Sequence, residues 1–210
     1  MGVARLVSVN VAEVREIPRR GHMVRTGIWK FPVGGRVAVR GVNVEGDVQA
    51  NLKVHGGEFQ ALYAYAREDY DWWEGELGRE LPAGMFGENL TTAGLDLTNA
   101  LVGERWRVGS TVLEVSLPRI PCFKLQHKME EPKFIKRFAQ ARRPGTYLRI
   151  VEEGELGAGD EIELVERPGH EVTIGLLNEI KLFDQSLARK VVAARDELPD
   201  GWLDWVAARG

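Results

Sequence analysis

The amino-acid sequence predicts a mainly β protein, a β-barrel with short helical inserts that ends in a small three-helix appendage. Three observations indicate this fold class. Residues 1 to about 167 contain short alternating or β-branched runs separated by glycine turns. Two stretches within that part have apolar residues at helical spacing, and after His170 the apolar period changes to about 3.6 residues. Many short strands with regular turns are typical of a closed barrel or a sandwich.

The strands are predicted from alternation of apolar and polar residues, or from aromatic and apolar runs. Glycines at 109 and in 154–160 are expected to form the turns beside them. The runs that meet these criteria most clearly are 36–41, 59–65, 111–116, 146–151 and 161–165.

Two helical inserts are predicted within the β part. Residues 67 to about 79 place Trp73 on one face together with other apolar residues three or four positions apart. Residues 131 to about 141 do the same with Phe138.

The last part of the chain is predicted to be helical throughout. Asp184 and Asp200 stand where helix N-caps are expected, and Pro199 separates the last two segments. We therefore divide the chain into a β-barrel domain, 1–167, and a C-terminal three-helix segment, 168–210.

Composition narrows the classes of function. The 210 residues carry a net charge of −3 and a pI near 5.9, so there is no basic footprint that would indicate nucleic acid as a partner of the whole domain. No stretch approaches the roughly 20 apolar residues needed to cross a bilayer, and the N-terminus lacks a secretory signal. We expect a cytoplasmic protein without a membrane role.

Several common chemistries lack their sequence patterns. There is no phosphate-binding G-x-x-x-x-G-K-[ST], no G-x-G-x-x-G after a strand, no H-E-x-x-H and no paired C-x-x-C. The four histidines lie far apart in the sequence, which argues against a multi-histidine metal site.

The single cysteine, Cys122, is the most informative residue. Two prolines and the cations Arg119 and Lys124 surround it in the sequence. Neighbouring cations favour the thiolate, which is both a nucleophile and a soft metal ligand. On these residues alone, a small buried hydrophobic side chain remains the competing interpretation.

Six short motifs in order resemble the MOSC domain, named for the C-terminal part of molybdenum cofactor sulfurase, and within it the stand-alone YiiM-like group. The resemblance covers nearly the whole chain, because that group also ends in a three-helix segment. The motifs are TGIWKFPV (26–33), GDVQA (46–50), VHGG (54–57), FGENL (86–90), PRIPCFKL (118–125) and GTYLRI (145–150).

The resemblance implies a MOSC-type β-barrel that binds a pyranopterin molybdenum cofactor. Cys122 matches the cysteine that supplies a thiolate to the metal, and soft thiolates suit such metals. Thr26 and Lys30 match a segment expected to hold the cofactor's phosphate. Asn89, His55 and Arg119 match positions expected near the cofactor, so they too are candidate cofactor-binding residues.

The resemblance also implies a reaction, the reduction of N-hydroxylated compounds such as N-hydroxylated purines. The electrons are expected from a partner flavoprotein, because the chain has no flavin or nicotinamide motif of its own. His55 is a candidate proton donor beside Cys122 at the catalytic site, since an imidazole titrates near neutral pH. A structural histidine that caps the glycine turn is the alternative.

Two other classes of function stay open. In the first, Cys122 carries a persulfide, or the domain delivers cofactor without turning over a substrate. In the second, His55, Asn89 and Cys122 form a cysteine hydrolase, although Cys122 is predicted at a strand exit without a helix N-terminus to activate it. Pyridoxal phosphate is disfavoured, because neither Lys53 nor Lys124 has a distinctive context.

The aromatic pair Trp72–Trp73 and the tryptophan-rich last helix allow two interpretations. They form a homodimer surface or they belong to the core, and the sequence does not separate the two.

Overall fold

The computed structural model describes residues 3–48 and 57–209. No helix in these ranges is both long enough and apolar enough to cross a membrane. The strands are β1 (Arg5–Ala12), β2 (Arg15–Arg19), β3 (His22–Thr26), β4 (Lys30–Val33), β5 (Arg36–Arg40), β6 (Asn43–Val44), β7 (Leu62–Ala66), β8 (Leu90–Ala93), β9 (Arg105–Val108), β10 (Thr111–Pro118), β11 (Thr146–Glu152), β12 (Gly154–Gly157) and β13 (Ile162–Glu166). The α-helices are α1 (Arg67–Leu77), α2 (Phe123–Met129), α3 (Phe134–Ala141), α4 (Ile174–Leu182) and α5 (Asp200–Ala207). Two 3₁₀ helices span Glu58–Gln60 and Gln185–Glu197.

The main sheet has eight strands in the order β13-β9-β10-β11-β7-β8-β1-β4. All adjacent strands in this sheet run antiparallel except β7 and β8, which run parallel and are connected in the sequence through helix α1. Strand β4 pairs with only the second half of β1. The first half of the same edge of β1 bonds to the segment where β13 begins. There Leu6 donates its N–H to the Asp160 carbonyl (2.8 Å), and Ile162 donates to the Ala4 carbonyl (2.8 Å). These bonds bring the two ends of the sheet together and close the strands into a barrel.

Two hydrophobic clusters fill the molecule. The first occupies the barrel and includes Leu113 and Leu148 together with Leu177 and Val191 of the C-terminal helices. The helical appendage therefore shares its packing with the barrel. The division of the chain at residue 167 remains a prediction.

The second cluster is largely aromatic and joins helices α1, α2 and α3 to one end of the barrel. Tyr65 stacks on Phe86 with ring centroids 4.2 Å apart, and Trp73 donates its indole N–H to the Tyr65 hydroxyl (2.9 Å). Trp73 is 1% exposed, so this tryptophan belongs to the core, whereas Trp72 is only partly buried beneath Arg143. The homodimer stays a prediction.

The fold class is confirmed, and four details of the prediction are corrected. Helix α2 was not predicted, because the prolines before Cys122 indicated a strand exit. Strand β12 lies within 154–160, which was predicted as a turn. The middle C-terminal helix is 3₁₀, and Asp200 is the first residue of α5, whose N-cap is Pro199. Asp184 is an N-cap as predicted and accepts a hydrogen bond from the Ser186 N–H (3.0 Å).

Two leucines beside Trp106 test how far burial in the barrel decides stability. Leu113 of β10 and Leu164 of β13 both stand opposite Trp106 of β9, one on each side of it. Leu113 is 0% exposed, and we expect Leu113→Ala to lower the free energy of unfolding by about 2–5 kcal/mol, because it removes apolar contacts and leaves a cavity. Urea denaturation would measure this loss.

Leu164→Ala is the matched control, since this leucine is 47% exposed. Its cost should stay within about 0.5 kcal/mol. Equal costs for the two substitutions would contradict the complete burial of Leu113 and the partial exposure of Leu164.

Candidate functional site

A cavity lies at the end of the barrel beside helix α2, and we call it the site cavity. The candidate residues Thr26, Lys30, Asn89, Arg119 and Cys122 all contribute to its wall. They come from the end of β3, the start of β4, the residue before β8, the segment after β10 and the residue before α2. The structure thus brings together five of the six residues chosen from the sequence.

The sixth candidate, His55, lies outside the described residues, so its role stays a prediction. In the part of the chain that the structure describes, no histidine lines the site cavity. Within the same part, no group of three or more His, Cys, Asp or Glu side chains is placed to hold a metal ion.

A buried ion pair forms one side of the site cavity. Lys30 donates to Asp47 Oδ1 at 2.5 Å, and the two side chains are 8% and 2% exposed. Burial lowers the pKa of Lys30, and the attraction of Asp47 partly offsets this effect. The Asp47 carboxylate also accepts the Ala12 N–H (2.7 Å). Asp47 belongs to the GDVQA motif, yet its side chain was not among the predicted site residues.

The Asn89 side chain ties three segments of the wall together. Its Nδ2 donates to Asp47 Oδ2 (2.9 Å) and to the Asn10 carbonyl (3.3 Å), and its Oδ1 accepts the Tyr63 N–H (3.3 Å). Both the Nδ2 and the Oδ1 of Asn89 therefore form hydrogen bonds within the protein. In this arrangement Asn89 positions Asp47 and the barrel strands around the cavity.

Thr26 lies at the end of β3, where the chain turns into the cavity wall. Its Oγ1 accepts the Ile28 N–H (3.2 Å), which leaves the hydroxyl proton to donate elsewhere. The intervening Gly27 passes very close to the neighbouring loop, because a Cβ there would lie 2.3 Å from the Val48 carbonyl oxygen. A side chain at this position would force the two segments apart.

Arg119 lines the cavity and is 6% exposed. Its guanidinium packs over the Tyr63 ring, 4.9 Å from the centroid, and donates to the Phe86 carbonyl. Burial opposes its charge, but Tyr63, Tyr147 and Cys122 favour it, and the pKa of Arg119 is raised. Arg119 is thus a fixed positive charge that interacts electrostatically with Cys122.

Cys122 is the N-cap residue of α2, and its carbonyl accepts the Leu125 N–H (3.1 Å). The expectation that Cys122 is not at a helix N-terminus was therefore wrong. The side chain is partly exposed in the cavity wall. Lys124 also interacts electrostatically with Cys122 and lines the same cavity. Cys122 is accessible and lies among cations, which are features of a functional thiol rather than of an inert core residue.

Two charged residues near the cavity were missed from the sequence. Lys128 of α2 donates to the carbonyls of Ile28 (2.9 Å) and Gly84 (2.5 Å), and burial lowers its pKa to about 7 although Glu88 opposes this. Glu88 is fully buried, and its Oε1 accepts from the Tyr70 hydroxyl (2.5 Å) and the Gly84 N–H (2.6 Å). Glu88 stands in the FGENL motif, but no local pattern marks Lys128, whose partners lie 44 and 100 residues away.

Comparisons with known proteins agree on one family. The MOSC domain profile matches residues 51–163. The uncharacterized protein YflK of Bacillus subtilis is 36% identical over 179 residues, which cover 85% of this chain and 81% of YflK. The crystal structure of YiiM from Geobacillus stearothermophilus superposes with a TM-score of 0.80 at 31% identity, covering 98% of each chain.

A longer relative contains a similar region. A Gibberella moniliformis protein named "Reductase" is 35% identical over 152 residues. These residues are 70% of this chain but 27% of that protein, so the chain spans about a quarter of the fungal reductase.

A double-mutant cycle would test whether the buried ion pair of Lys30 and Asp47 contributes to stability. Asp47→Asn leaves the buried Lys30 ammonium without its counter-charge, and we expect the free energy of unfolding to fall by about 3–5 kcal/mol. Lys30→Met should also destabilise the protein. The double variant should lose less than the sum of the two single losses by at least about 1 kcal/mol, because it contains no unpaired charge. Additive losses would show that the pair is not coupled.

The pH dependence of the free energy of unfolding would test the lowered pKa of Lys128. The pKa of Lys128 is about 7 in the folded protein, against the ordinary lysine value of 10.5 that we take for the unfolded chain. Between pH 7 and 10.5 the unfolded chain therefore binds more protons than the folded protein does. The contribution of Lys128 to stability therefore increases as the pH rises through this range. We expect the free energy of unfolding of the wild type, relative to Lys128→Met, to grow from pH 7 to about 10.

Urea denaturation at a series of pH values would measure this difference. Lys136→Met is the control, since Lys136 is an exposed lysine on the neighbouring helix α3. Its difference from the wild type should stay flat. A flat difference for Lys128→Met as well would contradict the lowered pKa.

Proposed function

The chain belongs to the MOSC domain family, and on this basis we propose that it is a molybdenum-cofactor-dependent reductase of N-hydroxylated compounds, such as N-hydroxylated purines. The observation that carries the proposal is the setting of Cys122. The single cysteine of the chain lies in a cavity whose described wall contains the cations Lys30, Arg119 and Lys124, and the carboxylate of Asp47. Such a wall suits an anionic group that also needs a thiolate ligand.

The residues present fit a pyranopterin molybdenum cofactor. Cys122 would supply the thiolate ligand to the metal, which accords with the preference of soft sulfur ligands for such metals. Lys30 uses one N–H on Asp47, so its ammonium retains donors for the cofactor's phosphate. Thr26 would donate its hydroxyl proton to the same group. When bound, the cofactor would supply two-electron redox chemistry that no side chain of this protein provides.

Arg119 would act on the site through charge. Its guanidinium is held by the Phe86 carbonyl and the Tyr63 ring, so it cannot move away from Cys122 without losing both contacts. A fixed cation beside Cys122 would attract the negative charge of a metal-bound thiolate. Asn89 would act as a positioning residue, since its amide holds Asp47 and thereby Lys30.

Reduction of an N–OH group to N–H releases water and consumes two electrons and two protons. We propose that a flavoprotein supplies the electrons, because the sequence has one cysteine and no flavin or nicotinamide motif. His55 is the proposed proton donor beside the substrate. The name of the fungal relative supports reduction as the class of reaction.

The alternative is a carrier of sulfur or of cofactor that turns over no substrate. The same exposure of Cys122 among cations would favour a persulfide on its sulfur. The two proposals differ in what the purified protein contains, so one experiment separates them.

That experiment measures the molybdenum and pterin content of the protein after expression in a host that makes the cofactor. We expect about one molybdenum per chain in the wild type and less than about a tenth of that in Cys122→Ala and Cys122→Ser, because the thiolate ligand is lost. The loaded wild type should then reduce an N-hydroxylated purine when a reduced viologen dye supplies electrons.

Ser116→Ala is the control, since Ser116 is a small buried residue of β10 six positions from Cys122. It should load like the wild type, and circular dichroism should show that all variants are folded. Sulfane sulfur on Cys122 without molybdenum, under conditions in which a known molybdoenzyme loads, would refute the reductase and favour the carrier.

A further inference from the structure

The hairpin of β2 and β3 is a two-stranded ribbon that forms a sheet of its own. Its turn residues Arg20 and Gly21 have φ values of 46° and 83°, which is the left-handed pair of a tight two-residue turn. Of the twelve positions from 15 to 26, only Ile17 and Thr26 are buried. The ribbon therefore presents most of its side chains to solvent.

The ribbon is basic, although the protein is acidic. It carries four arginines and one glutamate, a net charge of +3 with histidine neutral, while the whole chain carries −3. The rest of the molecule must then carry −6. The arginines are Arg15, Arg19, Arg20 and Arg25, and the glutamate is Glu16. A concentration of positive charge on a negatively charged protein gives the molecule a strong electrical asymmetry.

Most of this positive charge has no ion-pair partner within the part of the chain that the structure describes. Among residues 3–48 and 57–209, only Arg15 of the four arginines forms a salt bridge, to the exposed Glu13 at 3.1 Å. Two of the guanidinium groups, that of Arg15 included, lie over aromatic rings. Arg15 lies 5.4 Å from the Trp29 centroid, and Arg19 lies 4.0 Å from the Phe123 centroid. Stacking on rings fixes an arginine while leaving its edge N–H groups available to a partner.

The ribbon lies alongside the site cavity, since the base of the ribbon lines the cavity and its turn end packs on the start of α2. Strand β3 ends in Thr26, which lines the cavity, and the ring under Arg19 belongs to Phe123, the residue after Cys122. The charge of Arg19 also contributes to the field at Lys124 in the cavity wall. The basic surface is therefore continuous with the rim of the cavity that contains the thiol.

We propose that the β2–β3 ribbon is the docking surface for an acidic electron-donor protein. The inference rests on the proposed function, because a redox site fed by a separate protein needs that donor to approach the cavity closely. Arginine, methionine and aromatic residues are enriched in protein interfaces, and the ribbon region exposes Met23 (60%) and Phe31 (45%) beside the arginines. Complementary charge would orient the donor and accelerate its association.

An acidic protein fits this surface better than nucleic acid does. Five-residue strands make a ribbon about 17 Å long, which matches part of a protein–protein interface but covers few phosphates of a duplex. The −6 carried by the remaining surface would repel a polyanion that extends past the ribbon.

The test compares two triple variants of equal charge change. Arg19→Gln/Arg20→Gln/Arg25→Gln removes three positive charges from the ribbon, and Arg40→Gln/Arg167→Gln/Arg195→Gln removes three from exposed positions elsewhere. The probe is an acidic flavodoxin, whose binding to each cofactor-loaded protein is measured by calorimetry at low salt and at about 0.3 M salt. We expect at least tenfold weaker binding for the ribbon variant and a change within twofold for the control, with the difference diminishing at high salt.

Turnover of an N-hydroxylated purine separates failure of the docking proposal from failure of the reductase proposal. With reduced flavodoxin the ribbon variant should be at least tenfold slower than the control at subsaturating donor, and with a reduced viologen dye the two should be equal. Equal flavodoxin binding and equal flavodoxin-driven rates would overturn the docking proposal while dye-driven turnover still upheld the reductase. No turnover with the dye in any protein would refute the reductase, and the binding measurement would still decide the ribbon's role.

Two further outcomes would also overturn the docking proposal. A higher KM for the purine in the ribbon variant, with the dye as donor, would assign the arginines to substrate binding. Loss of affinity for a DNA duplex, with flavodoxin binding unchanged, would assign them to nucleic acid.

Discussion

The site depends on the hydrogen bonds that the buried carboxylate of Asp47 accepts. This carboxylate accepts hydrogen bonds from Lys30, from the backbone of Ala12 and from Asn89, and so joins β4, the end of β1 and the start of β8. A buried carboxylate is stable only when its oxygens are satisfied in this way. The position of the Lys30 charge in the cavity therefore follows from three separate segments of the chain meeting at one side chain.

Much of the fold was predictable, because the barrel strands carry a local signal. Strand β10 alternates and follows a glycine turn, and helix α1 repeats apolar residues at a spacing that fits no strand. Helix α2 has only seven residues and follows a proline, so its period is too short to be distinguished from a strand exit. The four-residue strand β12 is paired with β5 across more than a hundred residues, and such pairing leaves no mark on its own sequence.

The site was predictable where motifs mark it and not where packing creates it. Thr26, Lys30, Asn89, Arg119 and Cys122 were found from their motifs, and the structure places all five in one cavity. The lowered pKa of Lys128, in contrast, arises because α2 packs this side chain against two distant loops. Neighbouring residues in the sequence carry no information about that burial, so only the folded structure reveals it.

The closure of the barrel has a consequence for how the protein is made. Strand β1 leaves the ribosome well before its partners at residues 159–162, to which part of its edge bonds about 155 positions later. Contacts of such long sequence separation form slowly. Throughout synthesis of the intervening chain, this edge is an unpaired strand that other chains can join, so the nascent protein passes through an interval in which it is exposed to aggregation and to chaperones.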